Sequence, residues 1–199
     1  MGERIRGQVL ARYAQEVYAI SLVHQVTMVE SGEALFLEDA AAQLDVCEAI
    51  AELTGAMGLR LYTVEGEFLI SSPENITDGT LKAGQVDAAE LFSLSSGLNE
   101  ALPVKDIFWE PLLEADAATR TLAVREVVLP FHVADEDELL GVAQFLYDGG
   151  DSIADIAELN DGLFRQSLFV FAIGGGVIAL ILSISFVRMN RVHHSLVRR

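Results

Sequence analysis

The chain has 199 residues, room for one ordinary domain and something extra. At 51% hydrophobic it is too apolar for wholesale disorder, and its single cysteine, Cys47, excludes a disulfide framework and a cysteine-rich zinc site. Thirteen basic against thirty acidic residues give a net charge of −17, which excludes nucleic acid as a partner, because phosphate contacts need clustered Lys and Arg.

Residues 4–29 place Ile5, Val9, Tyr13, Val17, Ile20, Val23 and Val26 at steps of three or four, which predicts a long helix broken at Ser31-Gly32. A second helix is predicted from Leu35 to Thr54, with Leu37, Leu44, Cys47, Ile50, Ala51 and Leu53 on its apolar spacing and Gly55 as its stop. Cys47 there reads as a small buried hydrophobe. Residues 59–64 and 68–71 read as two strands around the turn Glu65-Gly66-Glu67, ended by Ser72-Pro73. Residues 74–104 read as polar and irregular apart from a short helix at 85–93. The glycosylation sequon Asn75-Ile76-Thr77 carries no weight, since one chance match is expected. A fifth strand is expected over 106–115, around Phe108 and Trp109. A second strand pair, Thr121–Val133 and Leu139–Tyr147, flanks the charged turn Asp135–Glu138. Pro130 lacks an N–H for the ladder and marks an edge or a bulge. Gly149-Gly150 ends the sheet, and Ile153, Ile156, Leu159 and Leu163 open another helix.

Residues 167–187 carry no charge, and 21 residues of helix span about 31 Å, close to the roughly 30 Å of a hydrocarbon core. The flanks differ in sign. Arg188, Arg191, Arg198 and Arg199 follow the run, whereas Asp148, Asp151, Asp155, Glu158 and Asp161 precede it against Arg165 alone. The +4 of the tail leaves −21 on the remaining residues. The positive-inside rule then puts the tail in the cytoplasm and residues 1–166 outside. MGERIRGQVLAR has no apolar stretch to direct export, so either the chain begins downstream of a lost membrane helix or it is tail-anchored. The arginines favour the first. Gly175, Ala179 and Ser183 form a small-xxx-small stripe, which reads either as a dimer contact or as ordinary membrane-helix composition.

The elements predict an α+β fold: long N-terminal helices, an antiparallel sheet of four or five strands, and a C-terminal helix continuing into a transmembrane helix. The expected division is a helical segment 1–57, a sheet domain 58–150, a juxtamembrane helix 151–166, a membrane helix 167–187 and a basic tail 188–199.

This order resembles the extracytoplasmic sensor regions, of PAS-like or Cache type, of bacterial two-component histidine kinases. Residues 62–69 (YTVEGEFL) look like the first hairpin of such domains; Val127–Phe131 with residues 140–145 (LGVAQF) look like the last. The helix from Asp151 into the membrane, with residues 186–191 (FVRMNR), resembles their exit towards the cytoplasm. The chain departs from such receptors in starting without a membrane helix and in stopping twelve residues past the apolar run, with no phosphoacceptor His motif and no Gly-rich ATP lid. The resemblance implies the input half of a receptor in the bacterial inner membrane, a homodimer that takes a small ligand or cation outside and reports to a cytoplasmic output domain or partner kinase.

Nothing points to catalysis. His24, His132, His193 and His194 form no HExxH pair, and Ser21 with His24 lies in no nucleophile elbow. No cofactor motif is present. A pocket between the sheet and a covering segment, as in PAS-like domains, has Arg60, Trp109, Arg125, Phe131, His132 and Tyr147 as candidate liners. Arg125 interrupts an apolar strand, where it either clamps a carboxylate or faces solvent on the open side of the sheet. The acids of residues 135–138 read as a solvated turn rather than a cation loop, and the juxtamembrane acids could bind cations against anionic headgroups. The competing function is a single-pass or tail-anchored subunit that acts through protein–protein contact.

Overall fold

A computed structural model describes residues 2–31, 40–91, 93–109, 120–132 and 139–197. Residues 1–156 form one compact unit and 157–199 a second.

The first unit opens with α1 (Gly2–Ser31) and α2 (Ala40–Thr54). The buried stripe of α1 is Ile5, Val9, Leu10, Ala14, Val17 and Ser21. Val23 and Val26, expected on that stripe, are instead exposed, because the successive steps of three from Val17 to Val26 carry the chain about 900°, which ends half a turn away from Val17. α2 ends as its glycine predicts. Gly55 takes φ +70°, and the Ala56 N–H donates to the Ala51 carbonyl at 2.9 Å, closing the last turn.

Five antiparallel strands follow, β1 (Gly58–Tyr62), β2 (Phe68–Ser72), β3 (Ser95–Pro103), β4 (Thr121–His132) and β5 (Leu139–Asp148), in the order β2-β1-β5-β4-β3. The helix α3 (Ala83–Glu90) lies between β2 and β3. Two expectations are corrected here. The fifth strand is Ser95–Pro103, within the stretch read as irregular, and of the stretch 106–115 the described residues 106–109 form no strand. Val104–Asp106 is a single 3-10 turn, and Phe108 makes one isolated bridge to Ile76, while 110–119 lie outside the described residues. β3 (SSGLNEALP) has no β-branched residue; pairing with β4, from Ser95↔Val128 to Pro103↔Thr121, makes it a strand. Pro130 sits where its missing N–H costs nothing. Its strand pairs there with Val142 of β5, but β3 reaches only as far as Val128 on the other side, so β4 is locally an edge.

The sheet is covered on both faces. Leu59, Leu61, Val127, Leu129, Phe131, Ala143, Phe145 and Tyr147 point towards α1 and α2, meeting Ala14, Val17, Val46, Cys47 and Ile50. The alternate residues point the other way. Tyr62, Val128 and Val142 pack with Ala89 of α3, while Val124 and Leu146 pack with Ile76 and Ile107 of the connecting segments. Sequence-adjacent residues of β1 are thus all buried, as a central strand requires. The charged turn 135–138 lies outside the described residues.

α4 (Gly150–Val197) is a single helix of 48 residues. Its stretch Gly150–Ser185 is long and apolar enough to cross a membrane, with mean hydropathy 2.5 over its most apolar window.

Candidate functional site

Alternation along β1 sends Leu59 and Leu61 to the helices and Arg60 and Tyr62 to the opposite face. Arg60 pairs in register with Gln144 of β5. Its guanidinium is buried and well supplied with acceptors: Nε donates to the Thr77 carbonyl at 2.9 Å, Nη1 to Gln144 Oε1 at 3.1 Å and Nη2 to Thr77 Oγ1 at 3.4 Å. Tyr62 adds its hydroxyl to the same Gln144 oxygen at 2.9 Å. Thr77 in turn donates to the Asp106 carbonyl at 2.6 Å. Gly79 lies against this cluster; a Cβ there would stand 2.8 Å from Arg60 Nη1 and 2.9 Å from the Tyr62 hydroxyl. Burial pushes the Tyr62 phenol up to about 12, with Arg60 pulling the other way. The segment after β2 therefore occupies the guanidinium of Arg60 with the protein's own oxygens.

Towards the β3 edge the same face opens into a cleft of about 530 Å³ lined by Arg6, Lys82, Gly97, Asn99, Glu100 and Glu126. Arg6 reaches over from α1 to Glu100 at 2.8 Å and to the Leu98 carbonyl. Gly97 stands opposite Glu126 in register, so no side chain separates that carboxylate from the cleft. Both charge signs meet here, with Arg6 and Glu100 paired and Lys82 and Glu126 also on the lining.

Arg125, on β4, lies on the helix face. It pairs with Tyr147 of β5 and Leu98 of β3, and it is 8% exposed. Its guanidinium carbon stands 3.9 Å from the Tyr13 ring centre and 4.7 Å from that of Tyr147. Nη1 donates to the hydroxyl of the fully buried Ser152 at 3.0 Å, and Nε has no hydrogen-bond partner. Among the described residues no carboxylate forms an ion pair with it. Tyr13 donates to Asp155 Oδ2 at 3.0 Å, and Arg12 donates to the same oxygen at 2.8 Å. The Tyr147 and Thr54 hydroxyls are 3.0 Å apart, and burial pushes the Tyr147 phenol up to about 12.

The six residues chosen from sequence are thus divided. Arg60 lies on the face covered by α3 and the connecting segments, and Arg125, Phe131 and Tyr147 lie on the face covered by α1 and α2. Trp109 is exposed and donates its backbone N–H to the Asn75 carbonyl at 2.7 Å. His132 closes β4 opposite Leu139. Sequence reasoning missed Tyr62, Thr77, Gln144, Lys82, Glu126, Tyr13 and Ser152, and read Asp155 only as a juxtamembrane acid. Strand alternation alone could have placed Tyr62 beside Arg60; their partner Gln144 needed the β1–β5 register. Among the described residues no group of three or more metal-ligating side chains is found.

A five-stranded antiparallel sheet with α1 and α2 on one face and α3 on the other makes an α+β domain. The chain is similar in structure to sensor and ligand-binding domains of chemoreceptors and histidine kinases. One is the ligand-binding domain of the Pseudomonas fluorescens chemoreceptor CtaA in complex with L-serine, at 18% identity and TM-score 0.36, covering 78% of this chain and 59% of that one. Another is the V. cholerae histidine kinase DctB sensor domain, at 15% and 0.38, covering 77% and 55%. A third is the Pseudomonas aeruginosa PAO1 amino acid chemoreceptor PctC domain in complex with GABA, at 16% and 0.34, covering 75% and 65%. The chain spans about three-fifths of the length of these domains. No family model and no curated protein matches it.

Proposed function

We propose that this chain is a membrane-anchored sensory input module, with residues 1–166 outside the bacterial inner membrane and Arg188–Arg199 in the cytoplasm. The observation that carries the reading is a connection. β5, the middle strand of the sheet, leads through Gly149 straight into α4, the helix that carries the apolar run. A ligand that shifts the sheet acts on the helix that, among the described residues, is apolar enough to reach the membrane, and a bistable helix position can be read by a cytoplasmic output domain or partner kinase. The ligand is a small polar molecule or cation held on the Arg60 face, at the cleft lined by Lys82, Asn99 and Glu126. The role is binding, not catalysis. The module works as a homodimer, with Gly175, Ala179 and Ser183 on the contacting stripe of the membrane helix. Residues 151–166 are the juxtamembrane helix, 167–187 the membrane helix and 188–199 the basic tail.

One observation favours the competing reading, a single-pass or tail-anchored subunit that binds another protein. Val23, Val26 and Leu53 are exposed at 68%, 52% and 65% on α1 and α2, a site for a protein partner.

Protease added to intact spheroplasts tests the topology. The sensory reading expects digestion of the domain ahead of the membrane helix. A domain that survives until the membrane is lysed places it in the cytoplasm and leaves the tail-anchored subunit.

A further inference from the structure

We propose that Arg125 is a latch that fastens the first turns of α4 and the N-terminal half of α1 to strands β4 and β5. A guanidinium is normally buried against a carboxylate, which repays the loss of water. Among the described residues, Arg125 is buried against two aromatic rings and one hydroxyl, with its Nε unpartnered. Each contact belongs to a different element: Tyr13 to α1, Tyr147 to β5 and Ser152 to α4. Asp155 of α4, to which Tyr13 donates, also accepts from Arg12 of α1, which joins the two helices a second time.

The arrangement has the chemistry of a reversible clamp. Stacking on an aromatic face tolerates small sliding, whereas the Ser152 hydrogen bond at 3.0 Å does not. A shift of β4 against β5 moves Arg125 relative to Tyr147 and pulls on Ser152, so the start of α4 follows the sheet. Arg and not Lys suits the place, because only a planar guanidinium lies between two rings and still aims an N–H at a third group. Arg125 is a positioning residue, and its role deepens the sensory reading by naming the joint through which the sheet acts on α4.

Hydrogen–deuterium exchange of the full chain in lipid nanodiscs tests it without any ligand. The amides of Ile153–Ile156 report the first hydrogen-bonded turn of α4, where the Ile153 N–H donates to the Gly149 carbonyl at 3.0 Å. Ser152→Ala and Arg125→Met are each expected to raise exchange there about tenfold, the factor that a lost charge-assisted hydrogen bond carries, with amides of Leu59–Leu61 unchanged. Arg125→Lys is expected to behave like Arg125→Met, and Asp155→Asn to raise exchange around Tyr13 as well. Unchanged exchange at 153–156 in Ser152→Ala overturns the latch. So does wild-type behaviour of Arg125→Lys, or an equal rise throughout the sheet, which would make Arg125 a packing residue only. The topology of the chain plays no part in these outcomes, so the latch and the sensory reading fail separately.

Discussion

Cys47, Tyr62 and Tyr147 are three acids that folding holds in the neutral form. Burial pushes the Cys47 thiol from 9.0 up to about 12, and the two phenols from 10.0 up to about 12. A raised folded-state value means that the contribution to stability is whole below the ordinary value and is lost as pH climbs towards the raised one. Stability is therefore expected to hold up to about pH 9 and to fall steadily between pH 10 and 12, measured by urea unfolding across that range. A flat profile would remove the phenols from the account. The same burial predicts that Cys47 resists maleimide in the native chain and reacts on unfolding. The Arg60 cluster makes a sharper statement. Arg60→Met leaves the Thr77 carbonyl without its donor and is expected to cost about 1–3 kcal/mol, whereas Tyr62→Phe leaves Gln144 still bonded to Arg60 and costs about 0.5–1.5 kcal/mol. The reverse order in thermal unfolding would show that Arg60 is not the centre of the network. Both arginines were candidate liners in the sequence, and Arg125 was conspicuous as a charge in an apolar strand. Their partners were not, because Thr77, Gln144, Tyr13 and Ser152 come from 17, 84, 112 and 27 residues away.

At the scale of elements, glycines separate tight junctions from loose ones. A Cβ on Gly149, between β5 and α4, would stand 2.8 Å from Leu98 Cδ1, 3.0 Å from the Ala123 carbonyl carbon and 3.1 Å from the Val124 nitrogen. Backbone of β4 cannot retreat as a side chain can, so Gly149→Ala is expected to destabilise by about 1–3 kcal/mol. Gly84, in the first turn of α3, has nothing within 4 Å, and Gly84→Ala is expected to stabilise by up to about 1 kcal/mol. Denaturant midpoints of the two variants should move in opposite directions. A second test at this scale concerns α4. Inserting Gly-Gly-Gly after Glu158 replaces part of a helical turn with flexible residues and is expected to uncouple ligand state from output in a fusion to a reporter kinase, with binding intact. Normal signalling through the insertion would make residues 151–166 a passive tether. The helices and four strands were readable because each carries its own periodicity. β3 was not, since a strand of small and polar residues takes its conformation from the neighbour it pairs with.

For the whole molecule, the proposed homodimer makes a prediction about the apolar stretch of α4. If Gly175, Ala179 and Ser183 lie where two helix backbones approach, Ala179→Leu inserts bulk at the contact and is expected to abolish self-association in a membrane two-hybrid assay. An unchanged signal would make the stripe incidental. The uncharged run of 167–187 and the opposite charges on its flanks were legible by composition alone, because the bilayer acts on each residue almost independently of its neighbours in space. The sequence by itself likewise determined the mixed α+β class and the passage from the last strand into a long helix apolar enough to cross a membrane. Which arginine met which surface was a different kind of question. Alternation says only that Arg60 and Leu61 face opposite ways within β1, and that Arg125 and Glu126 do so within β4. Whether Arg60 shares a face with Arg125 or with Glu126 depends on the register of β1 on β5 and of β5 on β4, and a slip of one residue in either would exchange them. The register is set by the apolar layers that α1 and α2 cover, long-range contacts that no local pattern contains, and so the tertiary structure alone put Arg60 under Thr77 and Arg125 between two tyrosines.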